Sequence, residues 1–151
     1  MTTVGSRQDA LLMAHLLRRA GFGATPYEMD TALDRGYDQV LDDLLNPGHP
    51  DLIPDDLIRR YHVDQSDLRS SGGAHWVYRL VMTDTPLREK MCLFWHRVFA
   101  TATTKLIQSR VVTNQVDMFR QFGMGRFDDL LIELSRDPAM IMWLDNQDNH
   151  G

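Results

Sequence analysis

The chain has almost none of the residues that build cross-links. Cys92 is its only cysteine, so no intrachain disulfide can close and no multi-cysteine metal knuckle can assemble. A reducing compartment fits this but is not required. No two of the six histidines lie three or four residues apart, which removes the two-histidine helical zinc motif. No uninterrupted apolar run approaches the length of a bilayer span, and the opening residues, Met1 to Asp9, lack the apolar core of a signal peptide. On that reading the cytoplasm is the default compartment. No serine stands in a nucleophile elbow and no glycine-rich loop joins a strand to a helix, so acyl transfer and dinucleotide binding have no motif. Basic residues are in the minority, 16 against 21 acidic ones, and the summed field repels phosphate backbones and anionic membrane surfaces. Nucleic acid is therefore not expected as a partner. The basic pairs Arg18-Arg19 and Arg59-Arg60 read as helix-end charges that complement the dipole.

What is present is helical periodicity. With 151 residues, 43% of them hydrophobic, the chain can bury one ordinary core, and nothing in its length demands two domains. Ser6 and Asp9 resemble a capping pair before a helix in which Leu12, Met13, Leu16 and Leu17 make a broad buried face, ended by Gly21-Phe22-Gly23. Thr25-Pro26, with Glu28 behind it, opens a second helix to about Arg35. Gly36 is placed to end that helix in the left-handed conformation, and a third carries Val40, Leu41, Leu44 and Leu45 as far as Asn46-Pro47-Gly48. Residues 46–56 read as an exposed connector before a short helix around Leu57 to Tyr61, and Ser66 to Gly73 as a flexible loop tip. Beyond it Trp76, Val77, Leu80 and Val81 resume helical spacing. Thr85-Pro86 starts the most strongly marked helix, with Leu87, Met91, Phe94, Trp95 and Val98 as its apolar stripe. A long helix over about Leu106 to Gln121, one over Phe127 to Ser135, and a last one from Asp137-Pro138 complete the chain, with no alternating strand pattern and no repeat.

Few residues suggest chemistry. Cys92 and His96 are one turn apart and could give two metal ligands, but two do not make a site; a buried thiol beside a hydrogen-bonded imidazole is the commoner arrangement. The segment Asp145-Asn146-Gln147-Asp148-Asn149-His150-Gly151 has oxygen donors on alternate residues like a calcium loop, yet its glycine comes one place late and the twelfth-position glutamate falls beyond it. Side-chain hydrogen bonds at a helix end account for such residues without a metal. Asn114 and Gln115, bracketed by Val111 and Met118, are expected near a buried stripe, where amides either tie helices together or floor a polar cleft. Asp129 and Glu133, also one turn apart, read as a solvated face.

The motifs His15-Leu16-Leu17-Arg18-Arg19-Ala20-Gly21-Phe22-Gly23-Ala24-Thr25-Pro26, Pro86-Leu87-Arg88-Glu89-Lys90-Met91 and Phe94-Trp95-His96-Arg97-Val98-Phe99-Ala100-Thr101 follow one another in a distinctive order. With Gln115, Phe119-Arg120-Gln121, Gly125-Arg126-Phe127, Arg136-Asp137-Pro138-Ala139-Met140, and Leu144-Asp145-Asn146 with Asn149, they make the chain similar to the bacterial family catalogued as the domain of unknown function 1800. Cys92, where an aliphatic residue is expected, and Met124, where a small one is usual, depart from the pattern as packing changes.

That resemblance covers nearly the whole chain and implies a longer helical unit, of which residues 1–151 would be the N-terminal portion of a single domain continuing beyond them. The expected fold is all-α, a multi-helix orthogonal bundle, incomplete on its own. The family's own function is not established. Its genes often stand beside those of exported proteins resembling sulfatases or alkaline phosphatases, which implies a possible protein partner of that kind and keeps the envelope or a secreted location open. The first functional expectation is an interaction or scaffold module. The alternative is a hydrolase-type or metal-dependent enzyme, completed by a C-terminal region, in which His96, Gln115, Asp145, Asn146 and Asn149 converge. Arg18, Arg19, Gly21, Phe22, Gly23 and Trp95 are expected to be structural, no metal site is nominated, and the cofactor is unknown.

Overall fold

A computed structural model describes residues 7–48, 68–102, 104–106 and 109–148. All regular structure among them is helical, in the order α1 (Arg7–Ala20), α2 (Pro26–Arg35), α3 (Tyr37–Leu45), α4 (Leu68–Met82), α5 (Pro86–Val98), α6 (Ser109–Phe122), α7 (Phe127–Arg136) and α8 (Pro138–Trp143), followed by a 3-10 turn, Asn146–Asp148. No strand occurs among the described residues, so the fold is all-α. The short helix expected at Leu57 to Tyr61, the pair Arg59-Arg60, and most of the connector before them lie outside the described residues.

The chain divides into two compact units, Met1–Leu52 with Thr83–Lys90 and Ile53–Met82 with Met91–Gly151. In the first, α1, α2 and α3 pack around Met13, Leu16, Ala20, Ala32 and Val40, with Leu17, Leu44 and Leu87 against them. The helix starts are local chemistry. Thr25 and Glu28 form a reciprocal capping box in which Glu28 N donates to Thr25 Oγ1 and Thr25 N donates to Glu28 Oε2 at 2.7 Å, satisfying donors that a helix leaves open. Gly36 departs from expectation in one respect. Its φ of 86° is positive, but its ψ of 155° is extended; the chain enters α3 at once instead of curling back through the left-handed helical region. Leu12 is exposed, so the buried side of α1 is the narrower set Met13, Leu16 and Ala20.

In the second unit Cys92, Phe119, Leu130 and Leu134 form the core, with Trp76, Trp95, Phe99, Met118, Phe122 and Met140 packed against it. Two expectations need correction here. The loop tip expected at Ser66 to Gly73 is helical from Leu68 onward. Each glycine costs a helix about 1 kcal/mol relative to alanine, and the packing of α4 on α6 outweighs it. The buried faces of α4 and α5 are also more polar than their sequences suggested. Val77, Val81, Phe94 and Val98 are exposed, while Arg79 and Glu89 are buried. Apolar periodicity alone misplaces a face when charged side chains line the inside. Finally, α6 begins at Ser109, and Leu106 is buried in the connection before it.

Candidate functional site

Gln115 sits in the middle of α6 with no exposed surface, and a buried primary amide must find partners. It finds two. Thr101 Oγ1, in the connection between α5 and α6, donates to Gln115 Oε1 at 2.6 Å, and Gln115 Nε2 donates to Asp137 Oδ2 at 2.7 Å. The same Asp137 oxygen accepts from Met140 N at 2.8 Å, which makes Asp137 the N-cap of α8. All three side chains are buried. Burial pushes the Asp137 carboxyl above its ordinary value, with the hydrogen bonds from Met140, Gln115 and Ala139 opposing that shift.

The direction of donation limits the chemistry. The Thr101 proton points at an amide oxygen, which is no base, so the hydroxyl is not activated as a nucleophile. The Asp137 carboxylate receives N–H groups that do not titrate. This chain of bonds can orient three segments but cannot relay a proton.

The other residues expected to converge take different partners. His96 is half-buried, its ring edge-on to Trp76 with centroids 5.2 Å apart. Its Nδ1 is buried and finds no hydrogen-bond partner among the described residues, unlike the hydrogen-bonded imidazole expected beside the buried Cys92. Desolvation lowers its pKa below 6.5. Asp145 has a φ of 56°, a left-handed geometry that aspartate tolerates better than most residues. Its Oδ2 accepts from Lys105 Nζ at 2.8 Å, so this carboxylate is paired with an ammonium group. Asn146 opens the exposed 3-10 turn. Asn149 lies outside the described residues. Asn114, expected near the buried stripe, is exposed, and only Gln115 turns inward. Asp129 and Glu133 face Arg126 and Arg136 at the surface. Among the described residues no three of His, Cys, Asp and Glu come together as a metal site would require.

The glycine and arginine motif has a different geometry. Lys90 Nζ donates to the carbonyls of Arg18 at 2.6 Å and Gly21 at 2.5 Å, closing the C-terminal end of α1, and lies 5.7 Å from the centre of the Phe22 ring. Gly21 itself is closely packed against Pro86 and the preceding turn: a Cβ there would stand 3.1 Å from Leu17 O and 3.3 Å from Pro86 Cβ. Gly23 follows with a φ of 107°. Arg18 and Arg19 complete the last turn of α1. Trp95 Nε1 donates to Gly123 O at 2.7 Å, and its ring stacks on Phe99 and Phe127.

These motif residues run across most of the chain, and residues 15–151 match the family described as protein of unknown function, DUF1800. The chain belongs to the DUF1800 family. No curated protein and no solved structure matches it. The DUF1800 motifs thus meet at two joints, Lys90 on the end of α1 and Thr101 with Asp137 on Gln115; the Gln115 amide was expected to be buried, but neither its partners nor the Lys90 joint was expected. Thr101 and Asp137 were legible only as a motif end and a helix start. The pairing of a buried amide with a downstream N-cap is a long-range fact that spacing does not encode.

Proposed function

We propose that the chain is an interaction or scaffold module of bacterial origin that acts with a partner protein, and that residues 1–151 are the N-terminal helical portion of a single domain continuing past them. The observation that carries this reading is the apolar side of α4, where Val77 and Val81, one turn apart, are 59% and 76% exposed and Met82, next to Val81, is 56% exposed. Contiguous exposed apolar side chains mark surfaces that another protein segment covers. The partner we favour is a protein resembling the sulfatases or alkaline phosphatases, acting in the cytoplasm by default or at the envelope if the complex is exported. No described helix is long and apolar enough to cross a membrane. Titration calorimetry of the full-length protein with such a partner encoded beside it tests the reading. Binding that Val81→Asp weakens at least about tenfold, as truncation of an interface anchor does, is the expected result; no binding, or binding indifferent to that change, removes it.

A second reading, a hydrolase-type or metal-dependent enzyme whose site a C-terminal region completes, is favoured by one atom. The buried, unpartnered Nδ1 of His96 is a polar group whose desolvation cost nothing described offsets, as expected where a substrate or ligand supplies the missing bond. Metal content and turnover of the full-length protein, compared with His96→Ala, test it. Equal values in both would take His96 out of any active site.

A further inference from the structure

A helix of six residues is too short to hold itself together in water, yet α8 is helical, and both of its ends are held from the same connection between α5 and α6. At the N-terminal end Thr101 fixes the Gln115 amide, and Gln115 fixes Asp137, whose carboxylate caps the helix on Met140 N. At the C-terminal end Lys105 Nζ donates to Trp143 O at 2.7 Å and to Asp145 Oδ2 at 2.8 Å, with the Trp143 ring centre 5.9 Å away. Thr101 and Lys105 are four residues apart in sequence; Lys105 meets one end of the helix directly, and Thr101 bears on the other through Gln115 of α6.

We propose that this connection is a two-ended clamp, a conformational device that orders α8 together with the Leu144-Asp145-Asn146 segment, so that both open as one unit when either end is released. The two ends differ in how readily they let go. Lys105 and Asp145 are exposed, and salt screens their attraction; the Thr101, Gln115 and Asp137 bonds are buried and are not screened in this way. Screening of the Lys105 charge by salt is therefore the natural release. Opening would free the Asp145 carboxylate and the Trp143 carbonyl together.

Amide hydrogen exchange on the full chain separates the clamp from independent fraying. Met140 N and Ile141 N are bonded to Asp137 at one end of α8, and Leu144 N and Asp145 N to Met140 O and Met142 O at the other. In Lys105→Met the clamp requires all four amides to exchange faster, by about tenfold, the scale of losing a helix-end contact worth ~1.4 kcal/mol. Leu130 N, inside α7, should not change. Thr101→Val, which removes only the buried hydroxyl hydrogen bond, should accelerate the same four from the opposite end. Acceleration confined to Leu144 and Asp145 in the first variant, or to Met140 and Ile141 in the second, overturns the proposal, as does no change in either.

Discussion

Gln115 is the residue whose loss should cost most for its size. Replacing it by leucine keeps the volume but leaves the Thr101 hydroxyl and the Asp137 carboxylate each short of a partner inside the protein. A buried group left unsatisfied costs about 1–3 kcal/mol, so Gln115→Leu should destabilise the fold by roughly 2–4 kcal/mol in urea unfolding. A change below about 0.5 kcal/mol, the ordinary size of a surface substitution, would mean the amide is not where the fold is pinned. His96 sets a pH dependence. Its folded pKa lies below the ordinary 6.5, so the unfolded chain binds the proton more readily, and stability is lost as pH falls from 6.5 toward the folded value. Asp137 acts in the opposite sense. Its folded pKa is raised above 3.8, so its contribution falls as pH climbs from 3.8 through the folded value. Unfolding free energies between pH 7.5 and 5 should therefore drop less in His96→Phe than in the parent chain, and equal slopes would contradict the assignment. The residue scale is also where the sequence was least legible. Asn114 and Gln115 are neighbours of like chemistry, and only the packing around α6 decides which one turns inward.

The elements themselves were more legible, because their punctuation is local. Thr25-Pro26, Thr85-Pro86 and Asp137-Pro138 each open a helix where caps and first-turn prolines should, and Gly21-Phe22-Gly23 and Asn46-Pro47 each end one. Where reading by pattern failed, long-range packing had overruled it. Ser70-Ser71-Gly72-Gly73 has a loop's composition but lies within α4, and Glu89 sits fully buried inside a stripe expected to be apolar. The turn between α6 and α7 carries a prediction of its own. A Cβ on Gly123 would lie 2.3 Å from Phe119 O and 2.7 Å from Trp95 Cδ1, so neither the backbone nor the indole can stay in place. Gly123→Ala should cost about 1–3 kcal/mol, as overpacking does, and should move the Trp95 ring. Because three tryptophans fluoresce, the ring is best followed by its indole N–H resonance, which donates to Gly123 O. An unshifted resonance with unchanged stability would refute this reading of the turn.

For the whole molecule the balance lies between two modest cores and many exposed apolar side chains. Leu11, Tyr27, Val81, Phe94, Val98, Phe127 and Leu144 all stand in solvent. Such surfaces favour self-association and binding of apolar dyes. The 151-residue chain alone should therefore bind anilinonaphthalene sulfonate and sediment with concentration-dependent mass. A sharp melt at high temperature with no dye binding would show that these side chains need no cover, and with it the proposal of a longer domain would fall. Lys90 and Lys105 are the only lysines in the chain, and each amine is engaged with the carbonyl end of a helix. An endoprotease that cuts after lysine thus has two targets, one at each joint. The three peptides it would release appear only as those joints come apart, and the order of the two cuts would reveal which helix end loosens first.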